Sequence, residues 1–215
     1  DLNCDLGESF GAYTIGLDET VTPHVTSVNI ACGWHAGDPL VMERTVALAK
    51  QCGVAIGAHP GFPDLLGFGR RELKVSPDEV YAYVKYQIGA LYAFARSHHM
   101  ELQHMKAHGS LYNMAGKDIR LAEAMCRACR DFDSQLILLA LAGSKMEEAA
   151  QQMGVPCARE FFRRPGLLPR WQPGPPQYAR RPCCTTPQVA PGPGGQDDPD
   201  RQSDGHRRHR DPRGL

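Results

Sequence analysis

No stretch of this sequence approaches the roughly 20 consecutive apolar residues that a membrane-spanning helix needs, and no signal peptide stands at its start. The expectation is a soluble, cytoplasmic chain with no membrane partner. The first residue is Asp1 rather than Met and falls directly at a strand, so a short preceding piece is expected to be missing. Two nucleotide signatures are absent as well: there is no Walker loop and no Gly-rich dinucleotide turn. Any nucleotide site would therefore be unorthodox. Cysteine is not scarce, at eight residues, but those before residue 163 sit in apolar runs where a free thiol behaves as a small hydrophobe. Cys126 and Cys129 have CxxC spacing, yet they fall mid-helix with no second Cys/His pair, which argues against a zinc or redox motif.

A further absence is regional. Residues 163–215 contain no lysine, although they hold 10 arginines, 5 aspartates and 11 of the 17 prolines. Residues 1–162 carry 14 basic and 19 acidic side chains, so the overall neutrality hides a split from −5 to +5. The Pro/Arg-rich part cannot bury enough apolar surface to offset chain entropy and is expected to be disordered. A genuine Arg/Pro-rich tail for nucleic acid or an acidic partner is the alternative, weakened by the missing lysines and by the lack of any aromatic-spaced repeat; no nucleic-acid partner is expected.

What is present before residue 163 is a strict alternation of short apolar runs and helical patterns. DLNCDLGE, SVNIACG, VAIGAHPG, LQHMKAHGSLYN, QLILLALAG and VPCAREFF read as strands, the fourth running into a loop. Between them, PLVMERTVALAKQCG, EVYAYVKYQIGALYAFARSHH, DIRLAEAMCRACRDF and SKMEEAAQQMG read as helices. Ser76-Pro77-Asp78-Glu79 has the capping-box spacing, and Gly53 suits a helix C-terminus. Strand–helix alternation argues for parallel strands with helical crossovers, and the lack of a dinucleotide turn favours a barrel. Tyr81, Tyr83, Tyr86 and Tyr92 follow a helix face and read as packing. His98-His99 reads as a solvated helix end.

Polar residues recur where each strand ends: Asn3, Asp5 and Glu8; Asn29, His35 and Asp38; His59 and Asp64; His104, Lys106, His108, Tyr112 and Asn113. Any one of them has an ordinary structural explanation. Four successive strands delivering acids, imidazoles and an amine to the same place point to one site, because the C-terminal strand ends of a βα barrel converge on one face. Three chemistries suit this set. Asp5, His35, His59 and His108 are candidate ligands for a divalent metal in assisted hydrolysis. A carboxylate with an imidazole suits acid–base hydrolysis of an amide. Lys106 suits the holding of phosphoryl charge.

The blocks DLNCDLGESFGAY, NIACGWHAGDPLVM, GVAIGAHPGFPDLLGFGRR and HMKAHGSLYNMA resemble, in order and spacing, those of the LamB/YcsF family, the A subunits of bacterial 5-oxoprolinases. The resemblance runs from Asp1 to about Phe162, with Trp34 where Phe is usual and Ala107 where Pro is usual. It implies a distorted (β/α) barrel of the glycoside hydrolase/deacetylase type, seven-stranded in the family and incomplete here. It further implies ATP-dependent opening of 5-oxo-L-proline to L-glutamate, with partner subunits B and C. On that reading Asp5 or Glu8 activates water and His35, His59 and His108 move protons or hold substrate. Lys106 binds anionic charge, and Asn3, Asn29, Asp38, Tyr112 and Asn113 line the substrate. A metal-dependent deacetylase or amidohydrolase, and a noncatalytic subunit of a lactam-utilisation complex, are the alternatives.

Family members continue past the sixth strand with E-x-F-A-D-R-A-Y and then D-G-x-L-V-P-R, whereas here the pattern stops at Glu160-Phe161-Phe162. Regrouping generic codons one base later lets Arg163–Leu167 read Ala-Asp-Arg-Ala-Tyr and Arg170–Gly174 read Asp-Gly-Ser-Leu-Val. Trp171 has a single codon and Gln172 begins with C, which forces the glycine. One extra nucleotide near the codon for Phe162 is thus expected, leaving a truncated barrel domain over 1–162 and an out-of-frame segment over 163–215.

Overall fold

The computed structural model describes residues 1–161. The expectations placed on residues 163–215, disorder and a changed reading frame, lie outside the described residues. Six strands run β1 Asn3–Leu6, β2 Ser27–Ala31, β3 Ala55–His59, β4 Leu102–Met105, β5 Ile137–Leu141 and β6 Cys157–Glu160. Helices α1 Asp18–Val21, α2 Pro39–Cys52, α3 Pro77–Ser97, α4 Gly109–Ala115, α5 Ile119–Phe132 and α6 Lys145–Met153 lie between them. All neighbouring strands pair in parallel, in sequence order from β1 to β6. The result is a curled half-barrel with helical crossovers, an incomplete (β/α) barrel as the alternation implied.

Local chemistry explains the helix bounds. Asp38 caps α2 by accepting from the amides of Leu40 and Val41, Pro39 fills the first turn, and Gly53 closes the helix at φ 67°. Ser76 and Glu79 form the reciprocal capping box of α3. Along α5, Leu121, Ala122, Met125, Cys126 and Cys129 make one buried stripe. Cys126 and Cys129 are free thiols, and burial pushes Cys126 up to about 12, so neither is poised for redox chemistry. Of the α3 tyrosines, Tyr83 meets Trp34 edge-on at 4.9 Å and Tyr92 meets Phe132 at 4.9 Å, whereas Tyr86 is largely exposed. His98 differs from the expectation of a purely solvated end, since its Nε2 lies 2.8 Å from Glu43 of α2. The segment after β4 also differs. It is a seven-residue helix, too short to show a period in sequence and started by His108 without a side-chain cap.

Strand register decides which side chains enter the barrel. Asp5 pairs with Asn29, Asn29 with Gly57, and Gly57 with His104. Side chains alternate along a strand, so Asn3, Asp5, Asn29, His59, His104 and Lys106 share the concave face. Val28, Ile30, Ile56, Ala58 and Met105 take the other face, and all are buried in the core with α3 and α5 residues such as Ile88, Leu91 and Met125. Glu160 on β6 stands opposite Leu141 and joins the concave side.

Candidate active site

The floor of the concave face is a hydrogen-bonded row. The Asn29 amide donates to Asp5 Oδ1 at 2.7 Å and to Asn3 Oδ1 at 2.5 Å, and its own Oδ1 accepts from His104 Nε2 at 2.6 Å. Gly57 makes the row possible: a Cβ there would lie 2.2 Å from the His104 ring. Burial lowers His104 to about 4, so it serves as a neutral donor.

Above this row sit three imidazoles and two carboxylates. His35 and His108 stack face to face with centroids 3.7 Å apart and planes 4° from parallel. His59 stands edge-on to both. Its Nδ1 donates to the Lys106 carbonyl at 2.7 Å, while its Nε2 faces His108 Nδ1 at 3.0 Å and Asp5 Oδ1 at 3.5 Å. His108 in turn donates from Nε2 to the Phe68 carbonyl at 2.8 Å. Both nitrogens of His59 thus face acceptors, which suits an imidazolium. Burial opposes the charge, but the Asp5 carboxylate prevails and raises the His59 pKa. Burial holds His35 down to about 2 and His108 to about 3, with the His59 charge adding to the effect.

The two acids have been separated by environment. Glu8 lies 3.2 Å from His35 and 3.5 Å from His108, and burial raises its pKa. Asp5 is also enclosed on its sheet side, but His59 and Lys106 outweigh that and hold it well below the usual carboxylate range. Of the Asp5 side chain, 38% faces the open side of the half-barrel. Lys106 bridges Asp5 at 3.4 Å and Glu160 at 3.2 Å. Although it is buried, which lowers a lysine, the two carboxylates leave its pKa raised.

A segment after β3 closes over the imidazoles. Phe68 adopts a left-handed φ of 53°, a conformation costing a bulky residue about 1–3 kcal/mol. Gly69 follows at φ 62°, and a Cβ on it would lie 2.7 Å from His35 and 2.9 Å from His108. Asp64 offsets the strain by accepting from the Gly67 amide at 3.0 Å and from Arg71, whose Nε lies at 2.8 Å.

Asn3, Asp5, Glu8, Asn29, His35, His59, Lys106 and His108 therefore come together. Tyr112 is buried nearby, with burial and then Glu160 raising its hydroxyl pKa. Asp38 is committed as the α2 cap and also accepts from the Gly11 amide, and Asn113 lies exposed on α4. Sequence position missed Glu160, His104 as part of the floor, and the Phe68–Arg70 rim. Glu160 had a signal in the E-x-F pattern, but nothing in one sequence marks a strained turn. The side-chain donors of Glu8, His35, His59 and His108 lie within 4.8 Å of one another. The carboxylate of this group is Glu8, where Asp5 was the sequence candidate.

These features define an α/β half-barrel with a buried acid–imidazole–lysine site at the strand ends. The sequence pattern of the LamB/YcsF family matches residues 1–165, and the chain belongs to that family. It is 62% identical over 162 residues to the 5-oxoprolinase A subunit of Clostridium beijerinckii, covering 75% of this chain and 64% of that one. It is 55% identical over 180 residues to the 5-oxoprolinase A subunit of Pyrococcus abyssi, covering 81% and 71%. The crystal structure of the lactam utilization protein from Thermus thermophilus is similar with a TM-score of 0.73 and 50% identity, covering 74% of this chain and 64% of that one. The chain spans less than two thirds of the length of the Clostridium beijerinckii and Thermus thermophilus relatives.

Proposed function

We propose that this chain is the A-type subunit of a 5-oxoprolinase and carries the site at which 5-oxo-L-proline is opened to L-glutamate, with ATP and partner subunits B and C. The observation that carries the reading is the pairing of two carboxylates of opposite acidity with three imidazoles at the strand ends of a LamB/YcsF barrel. A five-membered lactam is a poor electrophile. Phosphorylation of its amide oxygen activates the ring carbon: one water adds there, the C–N bond opens as nitrogen gains a proton, and the resulting acyl phosphate is hydrolysed by a second water to carboxylate and phosphate.

Glu8 is the better base for the first water, because its raised pKa brings it closer to neutrality than Asp5. His59, whose pKa the Asp5 carboxylate raises, is the candidate proton donor through the Nε2 that faces Asp5 and His108. Lys106 and Asp5 hold each other charged, keeping a positive group beside the amide oxygen. The floor of Asn3, Asn29 and His104 fixes Asp5 in place.

The donor set also fits a divalent metal. His59 and His108 each donate their outward N–H to a backbone carbonyl, the arrangement that orients ligating histidines, and His35 Nδ1 is buried without a partner. A bound cation would supply Lewis acidity there. This is the observation favouring the second reading, a metal-dependent amidohydrolase or deacetylase.

The deciding assay mixes the chain with subunits B and C, ATP and 5-oxo-L-proline, and measures glutamate and phosphate. A version with one nucleotide removed near codon 162 runs in parallel, since we also propose the altered frame. Glutamate formation that needs ATP and falls about 10²-fold or more in His59→Ala and Lys106→Ala is expected. Unchanged turnover in both variants would make the chain a noncatalytic member of the complex. Turnover without ATP that a chelator abolishes, with metal found in the purified protein, would establish the second reading.

A further inference from the structure

Resting on the 5-oxoproline reading, a second requirement follows from substrate chemistry. The lactam carries a fixed carboxylate, and a site that selects it needs a cation not already neutralised. Around the cluster the cations are mostly committed. Lys106 is bracketed by Asp5 and Glu160, Arg71 by Asp64, and Arg159 by Glu147 at 2.7 Å. His59 faces Asp5.

Arg70 is placed differently. Among the described residues no carboxylate lies within 4.0 Å of its guanidinium, which rests 5.5 Å from the centroid of the Phe68 ring. That ring stands edge-on to His108 at 5.0 Å and to His35 at 5.6 Å. The aliphatic stem of Arg70 runs past Gly109, the residue after His108, where a Cβ would lie 3.6 Å from Arg70 Cγ. Its backbone is pinned on both sides: the Arg70 amide donates to Gly67 O at 3.0 Å, and Gly69 O accepts from the Ser110 amide at 2.9 Å. The left-handed pair Phe68-Gly69 therefore holds a planar cation at the rim of the imidazole stack, with its donors uncommitted among the described residues. The side chain is exposed, so its donors are open to a ligand at the mouth.

We infer that Arg70 is the specificity residue that receives the substrate carboxylate, orienting the lactam ring with its amide toward Glu8 and His59. A fork of N–H donors matches a carboxylate in two-point fashion, which a lysine would not. The ligand is thus a small lactam bearing an anionic group, and the uncharged ring alone is bound poorly.

Ligand-observed NMR on the 215-residue chain, with 5-oxo-L-proline and with 2-pyrrolidinone as the lactam lacking a carboxylate, tests this directly. The wild type should favour the acid. Arg70→Met should weaken 5-oxoproline roughly 10- to 100-fold while leaving 2-pyrrolidinone unchanged, and Arg70→Lys should recover only part of the loss. In the three-subunit assay the same variant should raise KM for 5-oxoproline without altering KM for ATP. Equal losses for both lactams would reduce Arg70 to a loop-holding role, and a selective rise in KM for ATP would assign it to phosphate. Retained preference in Arg70→Met would overturn the inference while leaving the 5-oxoprolinase reading intact. Failure of the wild type to bind either lactam would overturn both.

Discussion

Gly57 shows how much one missing methyl can decide. Its absent Cβ is the space the His104 ring occupies, and that ring completes the bond to Asn29 which fixes Asp5. Gly57→Ala forces the ring out of a packed floor, at a cost of about 1–3 kcal/mol. Urea denaturation should register the loss as a lowered midpoint with an unchanged slope. His104→Ala in the same background should make the added methyl nearly neutral, since the clash partner is gone. At this scale the sequence was informative where chemistry recurs: an acid or imidazole after each of four strands marked Asp5, Glu8, His35, His59, Lys106 and His108 as one group. It could not tell a side chain that turns into the barrel from one that caps a helix, which is why Asp38 stood with them. Exposure of Asn113 on a short helix was equally hidden. Arg70 and Glu160 reach the cluster through a strained turn and a distant strand, relations that no local pattern records.

Between β3 and α3 the chain makes a long excursion without regular structure, and Asp64 is what organises it. Its carboxylate accepts from the Gly67 and Arg71 amides and pairs with the Arg71 side chain. The Arg71 hydrogen bond, above all, depresses the Asp64 pKa. A carboxyl depressed on folding stabilises the native state above its unfolded pKa, near 3.9, and loses that effect as pH falls through the lower folded value. The stability gap between wild type and Asp64→Asn should hold steady from neutrality to about pH 5 and then shrink in more acid solution. Chemical denaturation at several pH values would show it; a gap that widened toward acid would refute the assignment. The helices flanking this segment were legible because caps are written locally, as Ser76-Pro77-Asp78-Glu79 illustrates. The turn itself was not, because Phe68 at positive φ is held there by partners far along the chain.

For the molecule as a whole, the alternation of periods made the parallel sheet and its order readable, while closure was not. β1 and β6 are the two edges of the described sheet, and Glu160 ends the last strand with Lys106 as its partner. Among the described residues neither edge has a further strand beside it, and such edges invite association between chains. If the frame is altered as proposed, a protein with one nucleotide removed near codon 162 should remain monodisperse at concentrations where the 215-residue chain self-associates, a difference that light scattering during size-exclusion chromatography would reveal. Identical behaviour of the two proteins would count against the proposed altered frame as a cause of association.

The parallel overlap of His35 and His108 has a consequence for charge capacity. Two rings lying flat on one another cannot both become cations, and each already resists protonation beside His59. Protonation of the trio is therefore steered to one ring, His59, set edgewise to the other two and raised by Asp5. A guest that arrives with positive charge competes with a proton for that ring, and an acid step there needs solvent to resupply it.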